Sequence, residues 1–184
     1  MDALDDVEKE LNEATRRAWT LVQSTDGRMF TVRPTPLSWS AAECLAHLSI
    51  STEMFLPVLR DAVARKPKKP GKAKMDLLGR VLAWFLEPPI RKKVKTSQPF
   101  VPKSTRAKAD AFGEFAALQE KLIDLLRAAR ESDLRTRIVS PFDGRVRYNL
   151  LSAFHIMAAH ERRHLWQAEQ AVAELRRVQA TTSR

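Results

Sequence analysis

Four histidines stand in this chain of 184 residues: His47, His155, His160 and His164. Imidazole is the commonest metal-ligating side chain and changes charge near neutral pH, so where these four can meet decides what chemistry is open to them. On a helix turning about 100° per residue, His160 and His164 lie about 40° apart and one turn along, and their rings can converge on one ion. His155 lies about 140° from His160 and about 180° from His164, so it cannot join them on an unbroken helix. Beside Arg162 and Trp166, it reads as a surface or inter-subunit residue. Ala153, Ile156, Met157, Gln167, Ala168 and Ala171 share the face of the pair, which therefore points into an apolar interior, where a charged or unpaired imidazole is costly. On an earlier helix, His47 shares an inward stripe with Ser40, Glu43, Ser51, Met54 and Val58. Three imidazoles on two inward stripes point to a three-histidine metal site with a position open to water or substrate, against the plainer reading of hydrogen-bonded core histidines. Zn²⁺ fits such a set, and Ni²⁺ and Fe²⁺ also accept imidazole.

The neighbours of these histidines admit both chemical and structural readings. His160-Glu161-Arg162-Arg163-His164 matches HExxH, in which two histidines bind zinc and the glutamate activates water. The context of a peptidase is missing, because no GxxH continuation follows His164. Glu161, at the border of the inward stripe, is a candidate general base, or else a surface residue paired with an arginine. Glu43 is explained by a capping box, with a ligand-orienting or substrate contact as its alternative. Gln167, nearly a turn beyond His164, could line the pocket or fix an imidazole by hydrogen bond. Cys44 lies about 60° from the direction of His47 and reads as a small buried hydrophobe rather than a nucleophile or ligand.

The elements that must position these residues are helical. Leu4, Val7, Leu11, Ala14, Ala18, Leu21 and Val22 recur every three or four residues and predict a first helix over residues 2–24. Thr25-Asp26-Gly27 breaks it, and residues 29–36 read as an extended, proline-bounded connection. Ser40-Ala41-Ala42-Glu43 is a capping box with Trp39 placed to staple over Cys44, so a second helix runs over 40–65, with Pro57 bending it. A third helix is expected over 104–131 and a fourth over 147–176, separated by a turn at Ser140-Pro141-Phe142-Asp143-Gly144. A polar tail, 177–184, should fray. No strand run and no internal repeat stand out, so the fold class is all-α, a four-helix bundle forming a single domain over 1–176.

Charge is distributed unevenly. The chain carries a formal +10, yet residues 65–108 hold 14 Lys and Arg against only Asp76 and Glu87, and six of the ten prolines. The basicity belongs to this insert and not to the bundle. Within it, residues 75–87 form one short apolar helix, and the favoured reading is a solvated connection whose helix covers an edge of the core or a dimer interface. Docking on an anionic membrane surface ranks below that, and nucleic acid last, for want of a DNA-binding motif or aromatic and basic interleaving. The acidic N-terminus lacks the pattern of an export signal, no stretch approaches the ~20 apolar residues of a membrane span, and the single Cys44 forms no internal disulfide. A soluble, cytoplasmic protein is expected.

Trp39-Ser-Ala-Ala-Glu43-Cys-Leu-Ala-His47-Leu48, followed by Asn149-Leu-Leu-Ser-Ala-Phe-His-Ile-Met-Ala-Ala-His160-Glu-Arg-Arg-His164-Leu-Trp-Gln167, resembles the DinB-like (damage-inducible) family of bacterial metal-binding four-helix proteins over almost the whole chain. The resemblance implies an up-down-down-up bundle and a homodimer. It implies a divalent metal, commonly zinc or nickel, held by His47, His160 and His164. The family is similar to S-transferases that use low-molecular-weight thiols, and to some metal-dependent hydrolases. The expected chemistry is Lewis-acid activation of a thiol cosubstrate, with hydrolysis using Glu161 as base, or a non-enzymatic stress or binding role, as alternatives. The +12 insert departs from the plain family pattern.

Overall fold

The computed structural model describes residues 3–65, 73–89, 96–103 and 107–182. Helix α1 (Ala3–Ser24) buries the seven-residue stripe read from the sequence. A short helix follows where an extended connection was expected: α2 (Gly27–Thr31) forms because the Asp26 carboxylate accepts from the backbone N–H groups of Arg28 and Met29, and the turn buries Phe30. Helix α3 (Ala41–Val63) starts at the expected capping box. Glu43 N–H donates to Ser40 Oγ at 3.2 Å, and Ser40 N–H donates to Glu43 Oε2 at 2.9 Å. Pro57 is accommodated within α3.

After α3 come α4 (Leu77–Leu86), a 3₁₀ turn (Gln98–Phe100), α5 (Lys108–Ala128) extended by a 3₁₀ turn to Glu131, and α6 (Leu150–Thr182). The expected start of the third helix at 104 and of the first at 2 lie outside the described residues, as do 66–72, 90–95 and 183–184. Two three-residue strands, β1 (Arg137–Val139) and β2 (Arg147–Asn149), pair antiparallel with Ile138 opposite Tyr148. They correct the strandless reading and move the start of the last helix from 147 to Leu150. Tyr148, fully buried, is held in the ladder, and Asn149 Oδ1 accepts from Ser152 N–H at 2.8 Å, so the helix begins after it. The expected turn caps this hairpin, with Ser140 N–H donating to Val146 O. The tail is not frayed as far as Thr182. No helix breaker interrupts it, and Glu174–Arg177 and Val178–Thr182 make local helical contacts.

Cross-helix pairs fix the directions. Glu10–Arg162, Arg17–Glu169 and Ser24–Arg176 keep a constant offset, so α1 and α6 run parallel. Asp5–Arg130, Leu11–Gln119 and Val22–Lys108 run in opposite orders, so α1 and α5 are antiparallel. Early α3 residues Ala42 and Leu45 share a core cluster with Leu165 and Ala168, while Leu59 and Ala62 share one with Leu150 and Leu151, so α3 is antiparallel to α6. The bundle is up-down-down-up. Because α3 and α5 run the same way, the chain must travel back along the bundle between them, and α4 makes that return on α6. Asp76 sits by Ser152, and Phe85 O accepts from Arg163 nearer the other end. Helix α4 is thus part of the architecture, and Phe100 lies at the end of the bundle where α3 starts.

Candidate metal centre

Two helices bring the three histidines together. The Ser40 capping box sets the phase of α3 so that His47 faces inward, and α6 turns His160 and His164 toward it. All three are buried. Their ring centroids lie 4.4–4.9 Å apart, and one nitrogen from each falls within 4.8 Å of the others. His47 Nε2 and His160 Nε2 are 3.1 Å apart. His47 Nδ1 lies 2.8 Å from Phe100 O; a carbonyl only accepts, so the proton sits on Nδ1 and the Nε2 lone pair is directed at the other rings.

Burial drives the electrostatics. It pushes His47 down to about 4, partly opposed by the bond to Phe100 O. Burial also lowers His160 and His164 well below the ordinary imidazole range, helped in both by His47 and Arg163 and in His164 by His160 as well. All three rings are therefore neutral at pH 7, the state in which imidazole offers a lone pair. His160 Nδ1 and His164 Nδ1 are buried with no hydrogen-bond partner among the described residues. Three neutral imidazoles, with buried nitrogens that ordinary polar neighbours leave unsatisfied, fit a divalent cation in donor type, number and protonation.

Aromatic rings surround the cluster. Trp39 stacks over His164 at 5.9 Å and tilts over His47 at 5.0 Å. Phe100 meets His47 edge-on at 6.4 Å, and Phe142, from the hairpin tip, lies 5.0 Å from His160. Phe142 also contacts Phe55 and Phe100, each at 4.9 Å.

The other candidates fall around this centre. Glu43 closes the capping box and is clamped by Arg33, whose Nε donates to Oε2 at 2.8 Å. Burial raises its carboxyl, but Arg33 and Ser40 outweigh that and hold it below the ordinary value. Gln167 acts on the His164 ring, drawing it up in partial opposition to burial. Glu161 is fully buried and is not among the converging ligand atoms. Its Oε2 accepts from Gln119 Nε2 at 2.7 Å, and the same amide donates to Leu11 O. Burial pushes this carboxyl up to about 8. Cys44 is buried and free, its thiol pushed up by burial. Trp39, expected to staple over Cys44, packs against the cluster that contains Cys44 and lays its indole over the imidazoles. His155 stays apart, half-buried near Glu10 and Arg162.

Phe100, Phe142, Gln119 and Arg33 were not singled out from the sequence. Only Phe100 left a trace there: Pro99-Phe100-Val101-Pro102 is an apolar island in a strongly basic stretch.

An all-α bundle whose second and last long helices bring three buried histidines together defines a class of helical protein with a possible histidine metal centre. The model of the DinB superfamily matches residues 10–168, and the chain belongs to that superfamily. No curated protein and no solved structure matches it.

Proposed function

We propose that this chain holds a divalent cation, zinc or nickel before iron, through His47, His160 and His164, and works as a thiol S-transferase on a low-molecular-weight thiol cosubstrate. The observation that carries the reading is the convergence of three neutral, buried imidazoles, two of them with unsatisfied nitrogens. When bound, such a cation supplies Lewis acidity, favouring the thiolate over the thiol at neutral pH. The chain's own residues prepare the place. Phe100 O fixes the His47 tautomer, Gln167 steadies His164, and Trp39, Phe100 and Phe142 keep bulk water from the rings. Glu43 contributes by anchoring the start of α3 through Ser40 and Arg33. Membership of the DinB superfamily supports the metal-binding half of this reading, and a free, buried Cys44 supports a reducing, cytoplasmic setting.

For Glu161 we propose a supporting role. A general base must reach the reacting proton, whereas this carboxyl is held by Gln119 and is neutral at pH 7. Hydrolysis with Glu161 as base would require that pair to part.

Elemental analysis of the wild type, purified without added metal, is expected to give about one transition-metal ion per chain, the stoichiometry of a three-histidine site, and His47→Ala to lose it. The metal-loaded protein should conjugate a thiol to an electrophile and leave ester and amide substrates untouched. A wild type with no stoichiometric metal and no thermal gain from Zn²⁺ or Ni²⁺ would refute the site; turnover of the esters alone would refute the transferase.

A further inference from the structure

Helix α4 is apolar on two sides. At about 100° per residue, Gly79, Leu82, Ala83 and Leu86 fall on one side and Leu77, Val81 and Trp84 on the other, with Leu78 at the stripe's edge. The first side is used in the fold: Leu82, Ala83 and Leu86 pack on the core, and a Cβ on Gly79 would meet Ser152. The second faces solvent, with Leu77 75%, Val81 51%, Trp84 59% and Leu78 41% exposed. Single exposed apolar residues are ordinary, but four large ones contiguous on a ten-residue helix make a docking surface.

Charge selects the occupant. Residues 65–108 carry 14 basic and two acidic side chains. Both acids are engaged within the fold: Asp76 takes Arg137, Ser152 Oγ and the Asn149 N–H, and Glu87 pairs with Arg162. The sequence on either side of α4 is strongly basic, so pairing with a second copy of the same chain is opposed by like charge. Nucleic acid offers phosphates but no apolar layer to receive Leu77, Val81 and Trp84. An anionic bilayer offers both, with headgroups for lysine and arginine and an acyl boundary for the stripe, where tryptophan is also favoured. No helix among the described residues is long and apolar enough to cross a membrane, which leaves surface attachment.

We propose that α4 docks on an anionic lipid surface, immersing Leu77, Leu78, Val81 and Trp84, while the exposed Lys74 and Arg80 sit at headgroup level. The inference does not depend on the metal reading.

Co-sedimentation of the full chain with phosphatidylcholine vesicles containing about one-third phosphatidylglycerol tests it, against phosphatidylcholine alone. Binding is expected to the anionic vesicles only, falling at least fivefold between about 0.1 and about 0.5 M salt. The triple variant Leu77→Ser, Val81→Ser, Trp84→Ser should lose about tenfold or more in affinity with its helical circular dichroism unchanged. Should that variant misfold, Trp84→Phe serves: it keeps vesicle binding and loses the lipid-dependent blue shift of tryptophan emission. The proposal is overturned by no binding to anionic vesicles, by equal binding to neutral ones, or by a foldable triple variant that binds like the wild type. A Trp84→Phe protein that keeps the shift also overturns it. A wild-type dimer that the triple variant dissolves would assign the face to a second copy, and loss of duplex DNA binding in that variant would assign it to nucleic acid.

Discussion

Glu161 is the clearest case of a side chain whose chemistry is set by its surroundings. Its Oε1 and the Oε1 of Gln119 have no hydrogen-bond partner among the described residues, the setting of a carboxyl that keeps its proton. Its folded pKa of about 8 lies above the ordinary 4.5, so between those values the unfolded chain releases a proton that the folded chain retains. Stability contributed by the protonated group is therefore whole below pH 4.5 and declines as pH rises to 8. The imidazoles act with the opposite sign. His47, lowered from 6.5 to about 4, favours the fold above pH 6.5 and loses that contribution on acidification. Glu161→Gln removes one titration and leaves the other. In urea unfolding, wild type is expected to lose stability relative to Glu161→Gln steadily from pH 4.5 to 8, and a constant difference would contradict the assignment. Glu161→Ala should cost ~2 kcal/mol or more at pH 6, because it opens a cavity and removes an acceptor of Gln119.

Two helices rest on single local devices, and each can be removed. Ser40→Ala removes the hydroxyl that accepts from the Glu43 N–H, the side-chain half of the box that starts α3, and should cost ~1 kcal/mol by denaturant unfolding. Gly79→Ala puts a Cβ 2.2 Å from Ser152 Cβ and Oγ and 2.8 Å from Asp76 Oδ1, so α4 must lift from α6. Overpacking of this kind costs ~1–3 kcal/mol, and the melting temperature should fall accordingly, while Gly113→Ala, with open space around it, should be neutral or stabilising. These devices differ in how plainly they stand in the sequence. Ser40-Ala-Ala-Glu43 and the apolar spacing of Ala153, Ile156, Met157, Ala168 and Ala171 are local patterns, and the inward phase of His47 follows from the first and that of His160 and His164 from the second. The β1–β2 pair is too short to show alternation; Tyr148 is held there by its burial against the bundle. Gly27–Thr31 depends on one aspartate cap. Phe100 and Phe142 reach the imidazoles through chain reversals that no periodicity reports, so the centre's nitrogens were legible and its aromatic walls were not.

At the scale of the molecule, Arg162 ties three elements together. From α6 it pairs with Glu10 on α1 at 2.7 Å and with Glu87 at the end of α4 at 3.1 Å. Those carboxylates draw the guanidinium upward against the opposing effect of its own burial. Arg162→Leu leaves two carboxylates without their shared cation and should cost ~3 kcal/mol, read as an earlier urea midpoint. Any metal held by the imidazole cluster should be retained by this variant, since Arg162 supplies none of the converging nitrogens. The return of the chain along α6 has a consequence for how the protein is made. The ring of His47 waits 113 residues for that of His160, and the carbonyl that fixes its tautomer comes from a turn between them. A ribosome that has released only the first half of the polypeptide has built no cage at all, so any ion must be captured by a finished molecule, after synthesis rather than during it.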